Sequence, residues 1–283
     1  MTFNKFIVLM NGKTWMRNKC LPTGDIIITS LCLSRWMLQC LVFTFRCLFL
    51  EVHLGSFNKL FNLIRIFLNY VSIWLASLLC VYYCMKITNY KNVVFLYLKT
   101  KMSKLVMWCL GLCVFFSFVF ILPFAWQFFF SQYQAVPTDV FQNMSKRPNG
   151  RYSTYLIGST PPLIIFSIAF FLTVPSLWRH IKNISGVGSS FRNPDMQTHF
   201  NAIKSMTTFF VFHILFIIFV NIDFSGVLEI GSPIRPMMAI VVALYPCLHS
   251  GVIIFYNRKL REGFLFSITY VLNFFQKKAV TDP

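Results

Sequence analysis

Acidic residues are scarce in this chain: 8 Asp and Glu stand against 26 Lys and Arg in 283 residues, a net charge of +18. Charge of either sign is sparse as well, at 12% of the chain, while 57% is hydrophobic. Water-soluble domains carry about 25% charged and about 45–50% apolar residues, so both figures leave the soluble range in the same direction. The carboxylates are too scattered for paired acid–base chemistry, and no HExxH, GxSxG or Gly-rich phosphate loop occurs. The nine cysteines form no CxxC and no Cys/His cluster at zinc spacing. No internal repeat and no midplane acid point to an ion-coupled transporter. These absences predict no catalytic residue, no metal and no cofactor.

What is present suits a bilayer. Thirty-four phenylalanines exceed what one aqueous core of this size can hide; facing lipid, they cost nothing. Six apolar runs, 26–50, 64–85, 105–130, 156–178, 204–224 and 237–256, each reach about 30 Å at 1.5 Å per residue. A shorter apolar stub at 3–11 spans only about 12–15 Å and reads as the cytoplasmic half of one more helix. The expectation is an all-α, multi-pass transmembrane helical bundle forming one domain over 1–264, with a cytoplasmic tail at 265–283. Pro123, Pro175 and Pro246 should bend helices rather than end them, because neighbouring helices can satisfy the freed carbonyls.

Basic residues set the orientation. Three lie in the link after the stub, five between 85 and 105, four between 178 and 204, and five in the tail, seventeen in all. The alternate connections hold seven, so the first set is cytoplasmic. A nucleic-acid partner is not expected, since the bases sit in short links between apolar runs rather than in clusters on a water-exposed face.

Arg35 is the most informative residue. It lies about nine residues into a 25-residue apolar run, where a charge is costly and must find polar partners or snorkel toward the interface. Matching depth along the other runs nominates Asn4, His249 and Ser250, which would tie the first, second and seventh helices together. Asn143-Met144-Ser145 is an N-glycosylation acceptor in a loop that the charge asymmetry places outside. His213, in the sixth apolar run counting the stub, reads as a hydrogen-bonded core histidine rather than a metal ligand. The cysteines within the runs read as small buried hydrophobes.

Taken in order, these polar residues resemble the type 2 (bitter) taste receptor family. Asn4-Lys5-Phe6-Ile7-Val8-Leu9-Met10-Asn11 with Trp15 is similar to the end of that family's first helix, and Leu31-Cys32-Leu33-Ser34-Arg35 to its second. Tyr83-Cys84-Met85-Lys86-Ile87, Ser176-Leu177-Trp178-Arg179-His180 and His199-Phe200-Asn201-Ala202-Ile203-Lys204 resemble its third, fifth and sixth. Tyr245-Pro246, His249-Ser250 and Asn257-Arg258-Lys259-Leu260 resemble its seventh. The likeness runs from Asn4 to about Phe264.

The resemblance implies a seven-helix G-protein-coupled receptor whose first helix is truncated at its outer half. It would take small, mostly bitter compounds and signal at the plasma membrane through a gustducin-type heterotrimeric G protein. Asn4, Arg35 and Ser250 would form the interhelical network. Lys86, Lys99, Arg179, His180, His199 and Lys204 would face the G protein, although plain topology accounts for bases there equally well. Candidate ligand contacts are Arg65, Asn69, Phe216, Phe219 and Met238, at a spacing that ordinary packing also produces. Arg65 replaces a frequent Trp and His213 a usual Tyr; Lys5 stands where a small residue is usual. Competing readings are a non-signalling fragment, a vomeronasal-type pheromone receptor and, last, a transporter or channel.

Overall fold

The computed structural model describes residues 2–48, 55–87, 93–129, 149–185, 194–225 and 234–281. They form α1 (Thr2–Asn18), α2 (Thr23–Leu48), α3 (Gly55–Ile87), α4 (Val93–Thr100), α5 (Met102–Phe129), α6 (Asn149–Ser185), α7 (Pro194–Ser225), α8 (Ile234–Tyr256) and α9 (Arg258–Thr281). No strand occurs among the described residues. Five of these helices, α2, α3, α5, α6 and α7, contain apolar stretches of 20 to 29 residues, long enough to cross a membrane. In α8 the described apolar stretch is Leu244–Tyr256, within a helix of 23 residues.

The helices overrun the apolar runs that announce them. α1 continues past residue 11 to Asn18, α3 starts nine residues before 64, and α6 extends from 149 to 185. Hydropathy marks only the part soluble in lipid; the backbone ladder continues into water wherever nothing breaks it. Pro123, Pro161, Pro162, Pro175 and Pro246 all lie inside helices. The tail is ordered too, since α9 occupies most of 265–283.

Local chemistry sets the breaks. Lys19 takes φ 52°, the left-handed conformation that closes a helix, and donates its N–H to Trp15 O at 2.7 Å. Pro22 then cannot continue the ladder. Asn257 separates α8 from α9 and accepts the Leu260 N–H at 3.3 Å, an N-cap that starts the new helix.

Packing centres on α3, which touches α2, α5 and α6; α7 lies between α6 and α8, and α8 closes back on α1 and α2. α3 and α6 run parallel, because Tyr70 meets Tyr155, Ser77 bonds Pro162 O and Cys80 meets Phe166 O. Gly158 permits this seam: a Cβ there would lie 2.6 Å from Tyr70 Oη. α7 runs the other way, with Phe170 on Phe210 and Phe166 on His213. α5 is the outermost span. Val106, Cys113, Ser117, Ile121 and Phe124 form its one buried stripe, and Trp108 is 77% exposed. A helix apolar on every side is built to meet lipid.

Candidate functional site

α2 buries one side of its turns: Leu31, Cys32, Ser34 and Arg35 point inward, while Leu33 and Met37 are exposed. Arg35 is 0% exposed, so its side chain does not snorkel. Its Nε donates to Ser72 Oγ on α3 at 2.9 Å, Nη2 donates to Tyr245 Oη on α8 at 3.2 Å, and Nη1 donates to His249 Nδ1. The guanidinium also lies over the Tyr245 ring, 5.1 Å from its centroid. All these partners are uncharged. Desolvating such a cation costs several kcal/mol, offset by charge-assisted hydrogen bonds at about 1.5–3 kcal/mol each.

Asn4 and Ser250 form a second group beside the first. Ser250 Oγ donates to Asn4 Oδ1, Asn4 Nδ2 donates to Gln39 Oε1 at 3.1 Å, and Gln39 Nε2 meets Cys247 Sγ at 3.1 Å. α1, α2 and α8 are thus tied through Asn4, Gln39, Ser250 and Cys247, and Arg35 adds α3. Depth alone nominated His249; it did not find Ser72, Gln39 or the Tyr245 hydroxyl. Serine and tyrosine are ordinary inside apolar runs, and a matching height says nothing about which way a residue faces.

The candidate ligand contacts lie further along the same interior. Asn69, one turn from the half-buried Arg65 on α3, donates to Tyr155 Oη at 2.8 Å. Tyr155 stacks on Tyr70 at 5.5 Å. Phe216 on α7 is buried and stacks on Tyr245 at 4.3 Å; Phe219 is half-buried. The backbone of Met238 lies in α8, but its side chain is outside the described residues. Phe216 therefore touches a group that holds Arg35. His213 Nδ1 lies 3.4 Å from the Tyr245 hydroxyl, and its ring stacks on Phe166 at 4.8 Å.

At the opposite end stand the basic residues. The parallel α3 and α6 end together and the antiparallel α7 begins beside them, which puts Lys86, Arg179 and Lys204, all exposed, at one end of the bundle. Lys99, His180 and His199 lie in α4, α6 and α7, with side chains outside the described residues. Asn143 also lies outside them. Among the described residues no three His, Cys, Asp or Glu side chains come together as a metal site would need.

Membrane-length helices closed around a buried cation whose three nitrogens are all hydrogen-bonded make a polytopic membrane protein whose interior, rather than its surface, holds the informative chemistry. Comparison with known proteins gives the family. Residues 1–271 match the family described as Taste receptor protein (TAS2R). The chain is 31% identical over 280 residues to taste receptor type 2 member 8 of Gorilla gorilla gorilla, covering 94% of this chain and 90% of that one. It is 30% identical to taste receptor type 2 member 3 of Pongo pygmaeus, over 93% of this chain and 87% of that one. Against taste receptor type 2 member 9 of Homo sapiens the identity is 29%, over 97% and 91%. The chain belongs to the type 2 (bitter) taste receptor family of G-protein-coupled receptors.

Proposed function

We propose that this chain is a plasma-membrane chemoreceptor that binds small bitter compounds in the outer half of its bundle and activates a gustducin-type heterotrimeric G protein at its basic end. The observation that carries the reading is Tyr245. One face of its ring packs on Phe216, a candidate ligand contact, and its hydroxyl accepts from Arg35, which is itself bonded to α3 and α8. A ligand that shifts Phe216 has a short mechanical route to the group that fixes the relative positions of α2, α3 and α8. Activation needs only that agonist bind one of two bundle states more tightly than the other.

Arg65, Asn69, Phe216, Phe219 and Met238 are the proposed agonist contacts, with Arg65 favouring polar or anionic compounds. Lys86, Lys99, Arg179, His180, His199 and Lys204 are the proposed G-protein face, Asn143 the proposed glycan acceptor, and the 265–283 segment cytoplasmic. The test is a calcium-release assay in cells supplied with a taste G protein, run against a panel of bitter compounds. A response that depends on the added G protein is expected. Silence across the panel, with the receptor at the cell surface, would overturn the reading.

A further inference from the structure

The order of protons along Arg35, Tyr245 and His213 follows from what each group can give. A guanidinium only donates, so Tyr245 Oη accepts from Arg35 Nη2. The phenol's own proton cannot point back at Arg35; given to His213 Nδ1, 3.4 Å away, it is made, whereas the reverse arrangement, Nδ1–H donating to the same oxygen, would leave a buried hydroxyl proton unmade. His213 Nδ1 is then an acceptor, the imidazole is neutral, and its proton sits on Nε2. That N–H is buried without a hydrogen-bond partner among the described residues, on a side chain 1% exposed. Folded proteins rarely leave a buried donor unmade, and where they do the group calls for an explanation.

Its surroundings indicate what would complete it. Phe166 covers the imidazole face, and Phe216, one helical turn outward on α7, shares Tyr245 with it. The neighbouring rings are aromatic, and what His213 Nε2–H lacks is an acceptor. An ammonium group has no acceptor to offer and would approach the Arg35 guanidinium. A carboxylate would be drawn to Arg35 rather than to His213, and each of the three Arg35 nitrogens already holds a partner in Ser72, Tyr245 or His249.

Resting on the receptor reading above, we propose that His213 is an agonist-binding residue whose Nε2–H takes a neutral carbonyl oxygen, of a ketone or a lactone, carried on an apolar skeleton. Tyr245 is its positioning residue, because its hydroxyl proton selects the His213 tautomer.

The test compares molecules of one shape that differ at one oxygen: coumarin against chromene, and camphor against bornane. Each is applied to wild type, His213→Phe and His213→Gln, both alone and as a competitor of whichever panel compound activates the receptor. Cell-surface level is measured for every variant. Wild type should hold the carbonyl member about tenfold more tightly, as one buried hydrogen bond allows. His213→Phe keeps a ring but no donor and should bring the ratio to near unity; His213→Gln keeps a neutral N–H and should restore it. The ratio cancels any general loss of stability or expression. Equal potency of the two members on wild type, including failure of both to activate or compete, would overturn the proposal, as would a ratio that survives in His213→Phe. A water molecule resident at Nε2 would give that result. A receptor silent to the entire panel would instead overturn the receptor reading.

Discussion

Arg35 shows how much a single side chain can fix. Its planar fork reaches one partner on α3 and two on α8, a geometry that lysine, a single ammonium on a flexible stem, cannot reproduce. Arg35→Lys keeps the charge and loses most of the bonding, so it should destabilise the receptor by about 2 kcal/mol. Thermal unfolding in detergent would show this as a lowered midpoint; an unchanged midpoint would remove Arg35 from its structural role. Arg65→Trp belongs to the same scale. It exchanges a cation for an aromatic wall one turn from Asn69 and should shift the agonist range away from acidic compounds, read on a panel of acids and their methyl esters. An unaltered preference would show that Arg65 does not meet the ligand.

Between elements, contact geometry decides which small residues matter. Gly158 sits where α6 crosses Tyr70 of α3, and an added methyl would press on the buried tyrosine ring at 2.6–2.9 Å. Gly158→Ala should therefore cost about 1–3 kcal/mol. Gly12 in α1 has open space around it, so Gly12→Ala should be neutral or stabilising by up to about 1 kcal/mol, since alanine is the better helix former. The two variants measured side by side separate seam packing from helix propensity; equal effects would contradict the seam. At the α1–α9 junction, Phe264 packs edge-on against Phe3 and Phe6, while Lys259 reaches across to Asp25 of α2 at 2.9 Å in an exposed pair. Phe264→Ala should lower stability well beyond Lys259→Ala, whose cost should stay under about 1 kcal/mol. A larger loss from Lys259→Ala in the same unfolding assay would reverse that ranking.

On the scale of the whole molecule, charge and hydropathy were readable from the chain because each is summed over many residues. The spans and the basic end follow from such sums, and so does the position of Arg35 inside a span, although its full burial does not. The helical form of α9 was not readable, because its apolar residues are interleaved with polar ones and flanked by bases. The Asn69–Tyr155 and Tyr245–His213 contacts were hidden for a different reason: rotation about each helix axis is set by neighbours, and no single run of sequence contains them. The basic end can be probed directly. Replacing Lys86, Arg179 and Lys204 together by Gln should lower the G-protein response several-fold while the chain still reaches the surface correctly oriented. If the triple variant instead shows terminal tags on the wrong side of the membrane, those bases serve topology rather than docking.

Arg35 has one further effect that concerns ions rather than ligands. A full positive charge is buried inside the bundle, bonded only to neutral groups. At about 6 Å, with an effective dielectric of about 20, a sodium ion or hydronium arriving there would be repelled by about 3 kcal/mol. If the bundle rearranges as the proposed function requires, the same charge would oppose the passage of small cations, and a liposome flux assay should then show added cation leak for Arg35→Gln.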